Sequence, residues 1–188
     1  IRDPLIIHWP DRIRQGGLIS PQFCHCSDIA PTILDAAGIV APDSVQGIAQ
    51  MEIHGTSLAY TFAEPLAATR KHVQYFELMG NRGIWADGWK AVVHHEPGTP
   101  FEQDRWELYD TRADFSECED LAAKHPERLK ALVEQWWTEA RRNQVLPLDD
   151  RGEYRVRDLF VFTEAGRDAE GNVLGTLSPT GQLPTFLT

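Results

Sequence analysis

Arg82-Gly83-Ile84-Trp85-Ala86-Asp87-Gly88-Trp89-Lys90-Ala91-Val92-Val93-His94 is the stretch on which the fold turns. Two runs rich in β-branched and aromatic residues, Arg82 to Trp85 and Trp89 to His94, flank Ala86-Asp87-Gly88. Asp-Gly tolerates the positive φ that a tight strand-to-strand turn needs, so the stretch predicts a β-hairpin. Val73 to Leu78 reads as a strand before it, and Trp106 to Asp110 as a short one after it. Together they predict a small antiparallel sheet of about three or four strands. A helix follows. Pro126 suits a first helical position, and Leu129, Leu132, Val133, Trp136 and Ala140 recur at three- and four-residue steps. Glu127 near its start and Arg141 and Arg142 near its end match the helix dipole. Trp136 and Trp137 read as core plus rim. Strands covered by one long helix make an α+β arrangement.

Towards the N-terminus, Leu5 to Trp9 is a continuous apolar run closed by Pro10, which predicts a strand buried on both faces. Ser27 to Gly38 predicts a helix with Asp28 as N-cap, Pro31 in the first turn and Gly38 as its left-handed stop. Ile29, Ile33, Leu34 and Ala37 fall on one face of it. Val40 to Met51 reads as loop and 63–72 as a polar connector. After Pro147 the pattern decays, with Leu159 to Thr163 as one more strand and a Gly-, Pro- and Thr-rich tail. This gives three segments, 1–62, 63–151 and 152–188. The chain opens within a strand and without a lead-in, so it is expected to be the C-terminal part of a longer enzyme.

The bulk numbers narrow the class. The chain has 188 residues, 42% hydrophobic and 24% charged, enough for a core of ordinary globular composition. Its formal net charge of -10 would repel a polyanion, so no nucleic-acid partner is expected; a small anionic substrate remains compatible. No apolar run reaches about 18 residues, so no membrane-spanning helix is predicted. Cys24, Cys26 and Cys118 are too few for a disulfide framework and lean towards a reducing compartment. Cys24-His25-Cys26 has the look of half a metal site, but no second Cys/His pair has ligand spacing, and structural thiols are expected.

Five stretches, in order, resemble the C-terminal third of the sulfatase family, arylsulfatase type, in the alkaline phosphatase superfamily. They are Arg2-Asp3-Pro4-Leu5-Ile6-Ile7-His8-Trp9-Pro10; Asp28 to Gly38; Gly80-Asn81-Arg82 with Asp87-Gly88-Trp89-Lys90; Trp106-Glu107-Leu108-Tyr109-Asp110 with Asp114 and Asp120-Leu121-Ala122; and Asn143 to Arg151. The resemblance implies an α/β fold with a large mixed sheet and a smaller antiparallel C-terminal sheet. This chain is then an α+β fragment of it, in which the Leu5–Trp9 strand and the following helix belong to the main sheet. It implies a sulfate ester substrate, a formylglycine nucleophile made within Cys/Ser-x-Pro-x-Arg, and a Ca²⁺ ion held by Asp and Asn oxygens. No Cys-x-Pro-x-Arg and no metal-closing Asp-Asn pair stands in this sequence. Nucleophile and metal ligands are therefore expected in the N-terminal part of the same enzyme, and the chain alone is expected to be inactive.

What remains for this chain is the rim of the substrate pocket. Arg82, beside Asn81 at the hairpin start, could offer a forked donor to sulfate, or pair with Asp87 or Glu77. His94 and His95 lead into a Pro- and Gly-rich loop, where the resemblance implies a histidine facing substrate; solvent-facing histidines are the alternative. His25, just before the capped helix, is a further rim candidate or a structural histidine. A phosphonate monoester hydrolase or phosphodiesterase of the same superfamily is a second enzyme reading. A self-sufficient binding module is a third.

Overall fold

A computed structural model gives the fold and describes residues 3–14 and 16–151. The chain divides into two compact units, Ile1–Gln74 and Tyr75–Thr188. The predicted Leu159–Thr163 strand and the 152–188 segment lie outside the described residues.

In the first unit the helix α1, Ile29–Ala37, ends at Gly38 (φ 68°), whose N–H donates back to Asp35 and Leu34 carbonyls. That stop is the one expected. The start differs. Asp28 stands at the N-cap position but makes no capping bond with its side chain, because its carboxylate is engaged elsewhere. The predicted apolar face differs too. Ile29 and Ile33 are exposed, and the position α1 buries is Thr32. Thr32 Oγ1 donates to Asp28 O and accepts from Leu58 N–H. Within the expected loop at 40–51, β1 (Ser44–Val45) and β2 (Ile48–Ala49) form a minimal hairpin. Its turn residues Gln46 and Gly47 both have positive φ, the geometry of a type I′ turn.

Leu5 to Trp9 forms no strand, and Leu5, Ile6 and Ile7 are exposed. A strand exists only through pairing with a neighbouring strand, and among the described residues none pairs with this run. The connector at 63–72 makes its contacts inside the first unit. Ser20 Oγ donates to Pro65 O, Gln22 Nε2 to Ala67 O, and Lys71 Nζ to Asp28.

The second unit is the predicted sheet and helix. Strands β3 (Val73–Leu78), β4 (Asn81–Ala86), β5 (Trp89–Val93) and β6 (Glu107–Asp110) lie in that spatial order. β4 and β5 pair antiparallel with Ala86 opposite Trp89, leaving the two-residue Asp87-Gly88 turn with both φ positive. Met79-Gly80 makes the same kind of turn between β3 and β4. The register sets Ile84 opposite Ala91 and Ala91 opposite Leu108. All three are fully buried.

The helix α2, Pro126–Arg142, covers this row with Leu132, Trp136 and Ala140, one per turn. Trp136 is 0% exposed, and its Nε1–H donates to Phe76 O on β3 at 2.9 Å. Trp137 sits half-buried beside it, the core-plus-rim pair expected. No described helix is long and apolar enough to cross a membrane. Replacing Trp136 separates its two contributions. Trp136→Phe keeps a ring and loses the bond to Phe76, and is expected to cost about 1–2 kcal/mol. Trp136→Ala is expected to cost about 3–5 kcal/mol. Urea unfolding midpoints measure both; equal costs would place the loss in the hydrogen bond alone.

Candidate functional site

Polar groups are buried in two places, one in each unit. In the first unit the Asp28 carboxyl is buried, at 0% exposure. Its Oδ2 accepts the His25 N–H at 2.8 Å. Its Oδ1 accepts the Thr56 N–H at 2.8 Å and the Lys71 ammonium at 2.7 Å. A buried carboxylate without such partners would be costly, so this set explains why Asp28 does not cap α1. Gly55 is required beside it, since a Cβ there would stand 1.9 Å from Ser27 O. The His25 ring accepts from Ser27 N–H through Nδ1 at 3.3 Å. Burial, then the Lys71 cation, pushes the His25 imidazole below its ordinary range. Burial likewise pushes the neighbouring Cys24 thiol up, so it is a weak nucleophile.

The second unit holds the other four candidates. Arg82 projects from β4 under α2, and its side chain is 1% exposed. Its guanidinium donates to Asp104, not to Asp87 or Glu77. Phe101, Trp106, Trp136 and Trp137 present their rings 5.2–5.9 Å from its central carbon. Among the described residues its Nε is buried with no hydrogen-bond partner. Burial pushes the guanidinium pKa down and Asp104 opposes that; an arginine stays charged in either case. The forked donor is thus spent inside the unit.

His95 lies beside that pair with 0% side-chain exposure. Its Nδ1 is 2.9 Å from Asp104 Oδ2, and its Nε2 is 3.3 Å from Asp150 Oδ2. Its ring stacks on Phe101 with centroids 4.1 Å apart. Asn81 ties the ends together. Its Nδ2 donates to Leu78 O across the Met79-Gly80 turn, and its Oδ1 accepts the His95 N–H. His94, one residue earlier, is exposed, and no polar partner for its ring is found among the described residues.

Asn81, Arg82 and His95 are therefore brought into one cluster, and His94 stands at its outer edge. His25 belongs to the first unit. Sequence reasoning missed Asp104, Phe101, Asp150 and Lys71 as members. Phe101 and Asp104 sit at the two ends of a single 3₁₀ turn between β5 and β6, and Lys71 in a connector, where no periodicity marks an inward side chain. Asp150 had one signal, its place in the Asn143–Arg151 motif.

Gly80 is the packing constraint of this cluster. Its φ is +86°, and a Cβ there would fall 2.6 Å from His95 Cδ2 and 3.1 Å from Phe101 Cε1. Gly80→Ala is expected to cost more than about 1 kcal/mol and to shift the His95 ring resonances. Urea unfolding with NMR of the histidine region checks it; unchanged stability and shifts would show that the turn and ring are not in contact.

The family model described as N-sulphoglucosamine sulphohydrolase, C-terminal, matches residues 1–144. An uncharacterized sulfatase of Schizosaccharomyces pombe is 34% identical over 139 residues, 72% of this chain. An N-acetylglucosamine-6-O-sulfatase of Bacteroides thetaiotaomicron is 28% identical over 141 residues, 71% of this chain. The chain spans 24% of the length of each of these curated relatives. A solved structure described as a complex with its substrate D-glucosamine-2-N,6-O-disulfate is 20% identical and covers 66% of this chain and 25% of its own, with a TM-score of 0.46. Four of the five motifs, all but Asn143 to Arg151, lie within the residues 1–144 that the family model matches, and the chain belongs to the sulfatases, in the family of N-sulphoglucosamine sulphohydrolase C-terminal regions.

Proposed function

We propose that this chain is the C-terminal portion of an arylsulfatase-like sulfuric ester hydrolase and that it shapes the mouth of the active site. The observation that carries the reading is the family match over residues 1–144. The first unit's surface supports it. Ile6, Ile19, Val40 and Met51 are each more than 80% exposed, alongside the exposed Ile33 of α1. Apolar surface on this scale calls for a partner. The partner we propose is the N-terminal part of the same enzyme, whose main sheet would take Leu5–Trp9 as a strand.

The described residues do not fit the calcium ion that the family resemblance implies. No three of their His, Cys, Asp or Glu side chains are placed to hold a metal, and Asp28 and Asp104 are already engaged by Lys71 and Arg82. We assign the metal ligands and the formylglycine nucleophile to the N-terminal part. For this chain's own residues the reading gives His94 the rim role. An exposed imidazole can donate to a sulfate oxygen or to the leaving oxygen. Arg82, His95 and Asn81 then hold the strand end from which His94 projects. His25 is the candidate from the first unit, with its ring favoured neutral.

Two assays test this. The isolated chain is expected to show no turnover of an aryl sulfate above a heat-killed control, whereas the intact enzyme turns over. In the intact enzyme His94→Ala is expected to lower kcat/KM about 10²-fold with its unfolding midpoint unchanged. Turnover by the isolated chain would overturn the reading. So would an intact enzyme that hydrolyses phosphonate monoesters and not sulfate esters.

A further inference from the structure

We propose that residues 143–151 form a strap whose grip on the loop between β5 and β6 is set by the protonation of His95. Beyond α2 the chain returns to a loop more than fifty positions earlier in sequence. Asp150 Oδ2 accepts the Gly98 N–H at 2.6 Å and lies 3.3 Å from His95 Nε2. Both contacts tie the strap's end to that loop through the same carboxylate oxygen.

The imidazole decides whether the second bond exists. Its Nδ1 faces Asp104, which Arg82 also holds, so that carboxylate stays in place whatever the ring does. A singly protonated ring has one N–H. The shorter contacts, 2.9 and 3.1 Å to the two Asp104 oxygens against 3.3 Å to Asp150, place that hydrogen on Nδ1, and the Nε2 lone pair then faces a carboxylate oxygen, acceptor against acceptor. A doubly protonated ring donates to both carboxylates in charge-assisted bonds. The ring is 0% exposed and stacked on Phe101, which leaves it no easy rotation to solvent.

The charges around the ring favour this coupling. Asp104 and Asp150 face it directly, and Arg82 reaches it from β4 through Asp104. Glu102 acts on Arg82. Glu77 of β3 accepts the N–H of Gly80, which packs on the ring. The two carboxylates in contact exceed the one guanidinium by a charge that a protonated His95 balances. The Gly98 N–H, then His95, hold the Asp150 carboxyl below its ordinary range, so it stays an anion through the pH range in which imidazoles titrate. The strap is therefore latched with His95 charged and loosened with it neutral, and the conformation of the loop that follows His94 becomes pH-dependent. This device does not depend on which ester the enzyme cleaves.

Hydrogen exchange read by mass spectrometry on the intact protein tests it, at pH about 5.5 and about 8.5 with intrinsic rates corrected. Peptides covering 95–104 and 143–151 are expected to lose protection at the higher pH, on the order of tenfold, while α2 peptides stay unchanged. Asp150→Asn and His95→Gln are each expected to flatten that response. Equal protection at both pH values in the unmodified protein would overturn the proposal, as would an unaltered response in Asp150→Asn. That variant sits where the side chain is 23% exposed, so it decides the matter even if His95→Gln does not fold.

Discussion

An arginine buried between a sheet and a helix constrains everything around it. Taking a guanidinium out of water costs several kcal/mol, offset only when a partner and good geometry are supplied. Arg82 obtains Asp104 as that partner and four aromatic rings as its walls. The walls come from the β5–β6 loop (Phe101), the residue entering β6 (Trp106) and α2 (Trp136, Trp137). None of these elements can move without exposing or orphaning the charge, so the guanidinium fixes the position of α2 on the sheet and the path of the loop after His94. The orphaned Nε of Arg82 marks the arrangement as tight rather than optimal.

The first unit uses the same logic with a different pair. Asp28 and Lys71 are both buried, and the pair joins the turn before α1 to the connector leading into β3. The two backbone N–H groups on Asp28 fix the His25 and Thr56 segments as well. What this unit lacks is apolar closure. Its isoleucines, leucines and valines remain largely in water, whereas the second unit closes its own core around Ile84, Leu108 and Trp136. One unit is organised by polar contacts; the other carries its own hydrophobic centre.

Much of the second unit was legible. The Asp87-Gly88 turn, the strand at Val73–Leu78, and the Pro126 start and Leu132–Trp136–Ala140 spacing of α2 all follow from local rules of φ, period and cap. The first unit was legible only where local rules suffice, as at Gly38. The Leu5–Trp9 strand and the apolar face of α1 rest on apolar pattern alone, and the described residues leave Ile6, Ile29 and Ile33 exposed. The 44–49 hairpin escaped because Gln46-Gly47 is a weak turn signal between two-residue strands. In the candidate site, Arg82, His95 and Asn81 stood out by motif, but their burial did not. The carboxylates that bury them, Asp104 and Asp150, lie in irregular chain where charge normally means exposure.

The Arg82–Asp104 pair, desolvated inside its aromatic walls, holds the second unit together. A double-mutant cycle with Arg82→Met, Asp104→Asn and the combination, read by urea unfolding, tests it most directly. Each single variant strands a buried charge or its partner and should lose about 3–5 kcal/mol. The double variant should lose clearly less than their sum, with a coupling of at least about 2 kcal/mol. Additive losses, or single losses below about 1 kcal/mol, would contradict the account.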